Sequence, residues 1–124
     1  MSKGKYRGTT KYFHVLAELV RAAQYRGVTT YQDIAVIMGL PLTGGHMAGE
    51  VGKVLGEIAT DEVAAGRPML SSVAVNVNGK AGEGFYTLAR TLGRLSKTED
   101  ELNFWESERE ASYEAWKRPL PKTS

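Results

Sequence analysis

Cysteine is absent from this chain. Disulfides, thiolate nucleophiles and Cys-based zinc sites are therefore excluded. Histidine is scarce: His14 and His46 are the only two, and neither has a second ligand at metal-binding spacing. His14 reads as a packed or surface histidine. No stretch approaches the roughly 18 consecutive apolar residues of a membrane span. The opening MSKGKYRGTTK is basic, but no apolar core of a signal peptide follows it. A cytoplasmic protein with no membrane partner is expected. The catalytic patterns HExxH and GxSxG are missing, as is a carboxylate cluster of the kind that holds Mg²⁺. A non-enzymatic chain without cofactor or metal is the expectation. A strong charge bias is lacking too, since 16 Lys and Arg face 14 Asp and Glu.

What remains fits one soluble domain. The 124 residues are 42% hydrophobic and 24% charged, enough for a single core. The charges are unevenly placed. Residues 1–60 carry seven cations against four carboxylates, whereas the segment from Glu99 to Glu114 is acidic. Such asymmetry is expected when one face meets phosphate.

The chain is organised around Thr29 to Ala59. A helix opens at Thr30, whose side-chain oxygen can cap it, with Asp33 three residues on. Gly39 is the stop and Pro41 forbids immediate resumption. A second helix begins after Thr43-Gly44-Gly45 and runs to about Ala59. Two short helices joined this way fit a helix-turn-helix, which places its second helix in a DNA groove. They also fit an ordinary helical hairpin.

The second helix carries Met47, Val51, Val54, Leu55 and Ile58 on its apolar face. Gly45, Gly49, Gly52 and Gly56 cluster on another line, roughly 145° away at about 100° per residue. Each interior Gly costs roughly 0.8–1 kcal/mol against Ala. Close approach of a sugar–phosphate backbone or of a partner helix would account for that cost; so would packing against another helix of the chain. Lys53 is the only cation on this helix, and Glu50 and Glu57 offset it.

Around this centre, residues 1–9 read as a flexible basic arm in which Lys3, Lys5 and Arg7 can meet phosphates, or as a solvated terminus. Thr10 to Arg26 reads as a helix with Tyr12, Leu16, Leu19, Val20 and Ala23 on its stripe. Thr60 to Ala65 reads as a short extra turn. Val73, Val75 and Val77 alternate with Ser72, Ala74 and Asn76, which predicts a half-buried strand over 69–77. Asn78-Gly79 is a tight-turn signal, and the loop from Asn78 to Gly84 reads as a wing with Lys80 at its tip. The spacing of Phe85, Leu88, Ala89 and Leu92 favours a helix over a return strand. A last helix is expected from a Thr98 cap, with Glu101 completing the box. Trp105, Tyr113 and Trp116 form its aromatic stripe, which either packs on the domain or docks a protein partner. Residues 119–124 read as a disordered tail.

The stretch from Gly27 to Gly79 resembles the DNA-binding domain of O6-alkylguanine-DNA alkyltransferases and alkyltransferase-like proteins. Thr30-Tyr31-Gln32-Asp33-Ile34-Ala35 is similar to that family's TYGxIA piece, and Gly39-Leu40-Pro41 to its GxP. Ala48 to Leu55, AGEVGKVL, is similar to ARxVGxAL, and Ser71 to Asn76, ending at Gly79, to PCHRVVxxxG. The resemblance places the family's reactive Cys near Ser71, its neighbouring His near Ser72, and the Arg that props open the duplex at Gly49. Alkyl transfer is excluded, because no thiolate exists. What the resemblance implies is a scaffold, a winged helix-turn-helix of the kind that enters the minor groove.

The expected architecture is thus α+β and mostly helical: a winged helix-turn-helix-like domain over 10–97 with a small β-hairpin, then a C-terminal amphipathic helix over 98–118. The first functional reading is a non-catalytic binder of duplex DNA. Its contacts would come from Tyr31, Gln32, Gly45, His46, Gly49, Gly52, Lys53, Lys80 and the arm. The second is a regulatory protein-interaction module on the same scaffold, docking through the glycine face or the aromatic helix.

Overall fold

The computed structural model describes residues 4–42 and 45–119, with only the backbone of His46. Lys3, Thr43-Gly44 of the expected turn and residues 120–124 of the expected tail lie outside the described residues. Five helices and one two-stranded pair follow in the order α1 (Thr10–Gln24), β1 (Thr29–Thr30), α2 (Tyr31–Ile37), α3 (His46–Ala64), β2 (Ala74–Val75), α4 (Glu83–Thr91) and α5 (Glu101–Trp116). The class is α+β and mostly helical. Among the described residues, no helix is long and apolar enough to cross a membrane.

The helix starts follow from capping chemistry. Thr9 accepts the Tyr12 N–H and Thr30 accepts the Asp33 N–H, so each hydroxyl satisfies one of the orphan donors of a first turn. Gly39 adopts φ +72, the left-handed conformation that ends α2 without a Cβ clash. α3 does not pause at Ala59. It runs on through the residues expected as a separate turn, because Ile58, Ala59 and Glu62 keep a buried face continuous. The last helix is capped by Asp100, which accepts the Leu102 and Asn103 N–H groups. Thr98 lies outside it.

The sheet departs from expectation. β1 and β2 pair in parallel, Thr29 opposite Ala74 and Thr30 opposite Val75, with α2 and α3 in the connection between them. No β-hairpin forms among the described residues. The Asn78-Gly79 turn is present, with the Asn76 N–H on the Lys80 carbonyl at 2.8 Å and Gly79 at φ +80. That single rung is not extended, because Phe85, Tyr86 and Ala89 bury one face of a helix instead of alternating as a strand would.

The segment expected as a half-buried strand is buried on every side. Leu70–Val73 forms a 3-10 turn, and every residue from Met69 to Val75 is buried, while Val77 is 84% exposed. Two apolar clusters meet across this segment. Leu70, Val73 and Ala74 join Leu19, Ile34 and Ile58 on one side. Met69 and Val75 join Phe85, Leu95 and Trp105 on the other. Each such fully buried aliphatic side chain contributes about 1.5–3 kcal/mol relative to exposure.

Side chains of α5 complete the segment's hydrogen bonding. The Trp105 indole N–H donates to the Ser72 carbonyl at 2.9 Å. Ser112 gives its proton to the Met69 carbonyl at 3.2 Å, and the Ser72 hydroxyl lies 3.2 Å from the Ser112 oxygen. Buried Glu108 accepts the Met69 N–H at 2.9 Å and both forks of Arg94 at 2.6 and 3.0 Å. Glu108→Ala strips a buried N–H and a half-buried guanidinium of their acceptor at once. We expect a loss of about 3 kcal/mol in urea unfolding. Glu110→Ala, at an exposed pair with Arg26, should cost under about 0.5 kcal/mol in the same measurement.

Candidate nucleic-acid interface

The glycine line of α3 stands uncovered. Gly45, Gly49 and Gly52 are exposed, and a Cβ built on each would have no atom within 4 Å. Only Gly56, further along, comes near a neighbour, with Leu88 Cδ2 at 4.0 Å. Ala48 beside them is exposed as well. The first half of α3 therefore shows solvent a strip of backbone and small side chains. Its opposite face buries Val51, Val54 and Ile58. Among the described residues, no other helix packs on Gly45, Gly49 or Gly52, so internal packing does not explain these glycines.

A cleft of about 650 Å³ opens beside the strip. α3 supplies one wall through Met47, Gly52 and Leu55, and α4 supplies another through Phe85 and Leu88. Tyr31 and Gln32, at the start of α2, and the loop around Gly82 complete it. Ser71, at the 3-10 turn, reaches the same cleft and is 6% exposed. Its hydroxyl oxygen has no hydrogen-bond partner among the described residues. Tyr31 is held by the loop: its hydroxyl accepts the Gly82 N–H at 2.9 Å. Burial pushes the Tyr31 hydroxyl above its ordinary pKa, against the opposing pull of that N–H, so the phenol keeps its proton. A Cβ at Gly82 would lie 3.1 Å from that hydroxyl, so the contact depends on glycine.

Lys53 and Lys5 share one carboxylate. Lys53 Nζ lies 2.9 Å from Glu50 and Lys5 pairs with the same side chain. Arg7 pairs with Asp61 at 2.9 Å. The segment expected as a free arm is thus laid along α3. Tyr6 is buried at 7% exposure. Glu57 accepts the backbone N–H groups of Lys5, Tyr6 and Arg7, and Glu50 accepts the Tyr6 hydroxyl. Carboxylates at 50, 57 and 61 recur at helical spacing and form a row that holds the segment down. Lys80 is exposed on its turn, with no ion pair to it among the described residues. The side chain of His46 lies outside the described residues.

The aromatic stripe of α5 faces inward. Trp105 and Tyr113 are 4% and 5% exposed, and half-buried Trp116 packs against the core. Each ring also carries a guanidinium over it: Arg109 on Trp105 at 4.5 Å, Arg26 on Tyr113 at 5.0 Å and Arg67 on Trp116 at 5.3 Å. Buried and capped in this way, Trp105 and Tyr113 expose little surface to a partner. Helical periodicity alone does not separate a stripe that packs inward from one that docks outward.

The structure brings Tyr31, Gln32 and Gly52 to one cleft and leaves Gly45 and Gly49 on the adjoining strip. Ser71, Phe85 and Leu88 belong to that cleft, although no local motif marks them. The pair Gly82 and Gly84 immediately before Phe85 is the one sequence signal of close approach there. No protein-family model, curated protein or solved structure matches the chain.

Two outcomes follow from this geometry. Gly49→Ala and Gly52→Ala meet open space, so each should raise stability by about 0.8–1 kcal/mol in chemical denaturation. Hydrogen bonds from Lys5, then Tyr6 and Lys53, hold the Glu50 carboxyl down at about 2 against an ordinary 4.5. A depressed carboxylate contributes stability in full above its unfolded pKa and loses it as the pH falls through the folded one. The part of the docking of residues 4–7 that Glu50 supplies, through Lys5 and Tyr6, should hold from neutral pH to about 4.5, weaken below it and be lost near about 2. NMR shifts of the Tyr6 ring report this directly. Glu50→Gln should remove that component of the pH dependence.

Proposed function

We propose that this chain is a non-catalytic DNA-binding protein that lays the open glycine strip of α3 against the sugar–phosphate backbone of a duplex. The observation that carries the reading is that, among the described residues, no atom lies within 4 Å of a Cβ built on Gly45, Gly49 or Gly52, the last two at helix-interior positions where glycine weakens the helix. On this reading α2 and α3 act as a helix-turn-helix. The tight turn at Asn78-Gly79, across the cleft from α3, serves as a wing reduced to one rung. Backbone N–H groups at the start of α3 and the Lys80 ammonium would meet phosphate. Lys53 and Lys5 would exchange part of their attachment to Glu50 for the polyanion.

Because few cations are available, affinity should be modest and should fall with salt. The resemblance between TYQDIA and AGEVGKVL and the alkyltransferase DNA-binding scaffold supports the same placement. The aromatic docking alternative is less well supported, since Trp105 and Tyr113 are buried.

An electrophoretic shift with a short duplex at about 50 mM and about 200 mM salt tests the reading. The wild type should shift the duplex at low salt and release it at high salt. Gly49→Leu, which puts a side chain on the strip without touching the cleft, should weaken binding about tenfold or more. Lys53→Glu combined with Lys80→Glu should abolish it. Duplex binding unchanged in both variants, or no shift by the wild type at low salt, overturns the proposal.

A further inference from the structure

We infer that the cleft between α3 and α4 is a binding site for a free aromatic small molecule that carries one hydrogen-bond acceptor on its edge. The inference does not depend on the duplex reading. The volume of about 650 Å³ falls in the range of small-molecule sites, about 300–1,000 Å³. The walls are largely apolar, with Leu55, Phe85 and Leu88 on them, and the Tyr31 and Phe85 rings suit an aromatic occupant. Glycines at 52 and 82 let that occupant approach backbone.

The polar side of the site is specific. Ser71 is more than nine-tenths buried, borders the cleft and has no partner for its hydroxyl oxygen among the described residues. A buried hydroxyl without a partner is destabilising, and a ligand acceptor in the cleft would offset that cost. Tyr31 adds a second donor. Its oxygen accepts from Gly82, and its own proton has no acceptor among the described residues. Two hydroxyl donors in an apolar cleft select a ligand that brings an acceptor and otherwise apolar atoms. A ring with several polar edge atoms would leave some of them unpaired.

A free molecule suits the site better than a base drawn out of a duplex. Extrusion requires something to hold the vacated stack. Among the described residues, the strip that would lie nearest the duplex offers Gly45, Ala48, Gly49 and Gly52, none of them long enough to act as a wedge.

Quinoline, a flat apolar ring with one acceptor nitrogen, is the probe, and naphthalene is its counterpart without the acceptor. Titrated into the full chain and followed by amide NMR, quinoline should shift Ser71, Gly82 and Phe85 and bind about tenfold more tightly than naphthalene. Ser71→Ala removes a hydroxyl that has no partner, so it should fold at least as stably as the wild type while reducing quinoline to the naphthalene level. Gly49→Leu, outside the cleft, should leave quinoline binding unchanged even where duplex binding is lost. Absence of a quinoline shift at the cleft amides, or equal binding by Ser71→Ala, overturns the inference. So does a duplex-borne 2-aminopurine that brightens on addition of protein and is displaced by quinoline, because the occupant would then be an extruded base.

Discussion

The fold depends on how a buried, nearly unpaired backbone is satisfied. Met69 to Val75 passes between two apolar clusters and loses almost all contact with water. Its peptide groups then need partners inside the protein, because an orphaned buried donor or acceptor costs about 1–3 kcal/mol. β1 is only two residues long and pairs with Ala74 and Val75 alone. The carbonyls of Met69 and Ser72 and the N–H of Met69 are served instead by Ser112, Trp105 and Glu108 of α5. α5 therefore acts as a strip of hydrogen-bonding side chains that stands in for the missing sheet. Its polar residues at 108 and 112, which interrupt the aromatic stripe, are the ones that do this.

That role for α5 fixes the cleft at one remove. With Met69 and Ser72 tied to α5, Ser71 between them is turned away from α5 and toward α3 and α4. Loop 76–82 leaves the same segment and brings the Gly82 N–H to Tyr31. Tyr31 opens α2 directly after β1, and β1 is held by β2. The cleft walls thus come from four places in the chain, all referenced to one buried segment. A disturbance at Glu108 would reach the cleft through that segment.

Local chemistry was legible from the residues, and long-range partnership was not. Thr30 as a cap, Gly39 as a stop, the glycine line on α3 and the helix through Phe85 and Ala89 all rest on interactions within a turn or two, and each stands in the structure. The Asn78-Gly79 turn also stands. The hairpin it implied does not, because the helical burial of Phe85, Tyr86 and Ala89 outweighs one rung of strand pairing. Val73 and Val75 alternate as expected, yet Ser71, Ser72 and Ala74 between them are buried too. Small residues on the second face of a short buried segment mimic the polar face of a half-exposed strand. The aromatic stripe of α5 was visible, but the arginines that cover it come from positions 26 and 67 as well as 109. No spacing rule connects those positions.

α3 carries two unlike flanks, and the difference argues for what each is for. One flank bears Glu50, Glu57 and Asp61, and residues 4–7 are bound along it by charge and by three successive backbone N–H groups on a single carboxylate. Lys5 and Arg7 thereby offset carboxylates that would otherwise make this helix acidic and repel a polyanion. The other flank is bare of side chains and therefore of charge. A helix with its acidic flank neutralised by its own N-terminal segment and its opposite strip reduced to backbone is close to electrostatically silent. On the proposed duplex reading, phosphate would meet the N–H groups of the strip together with the few cations beside it, and a glycine face suits a protein whose net charge is only +2. The segment expected to reach outward as a basic arm lies folded back along α3.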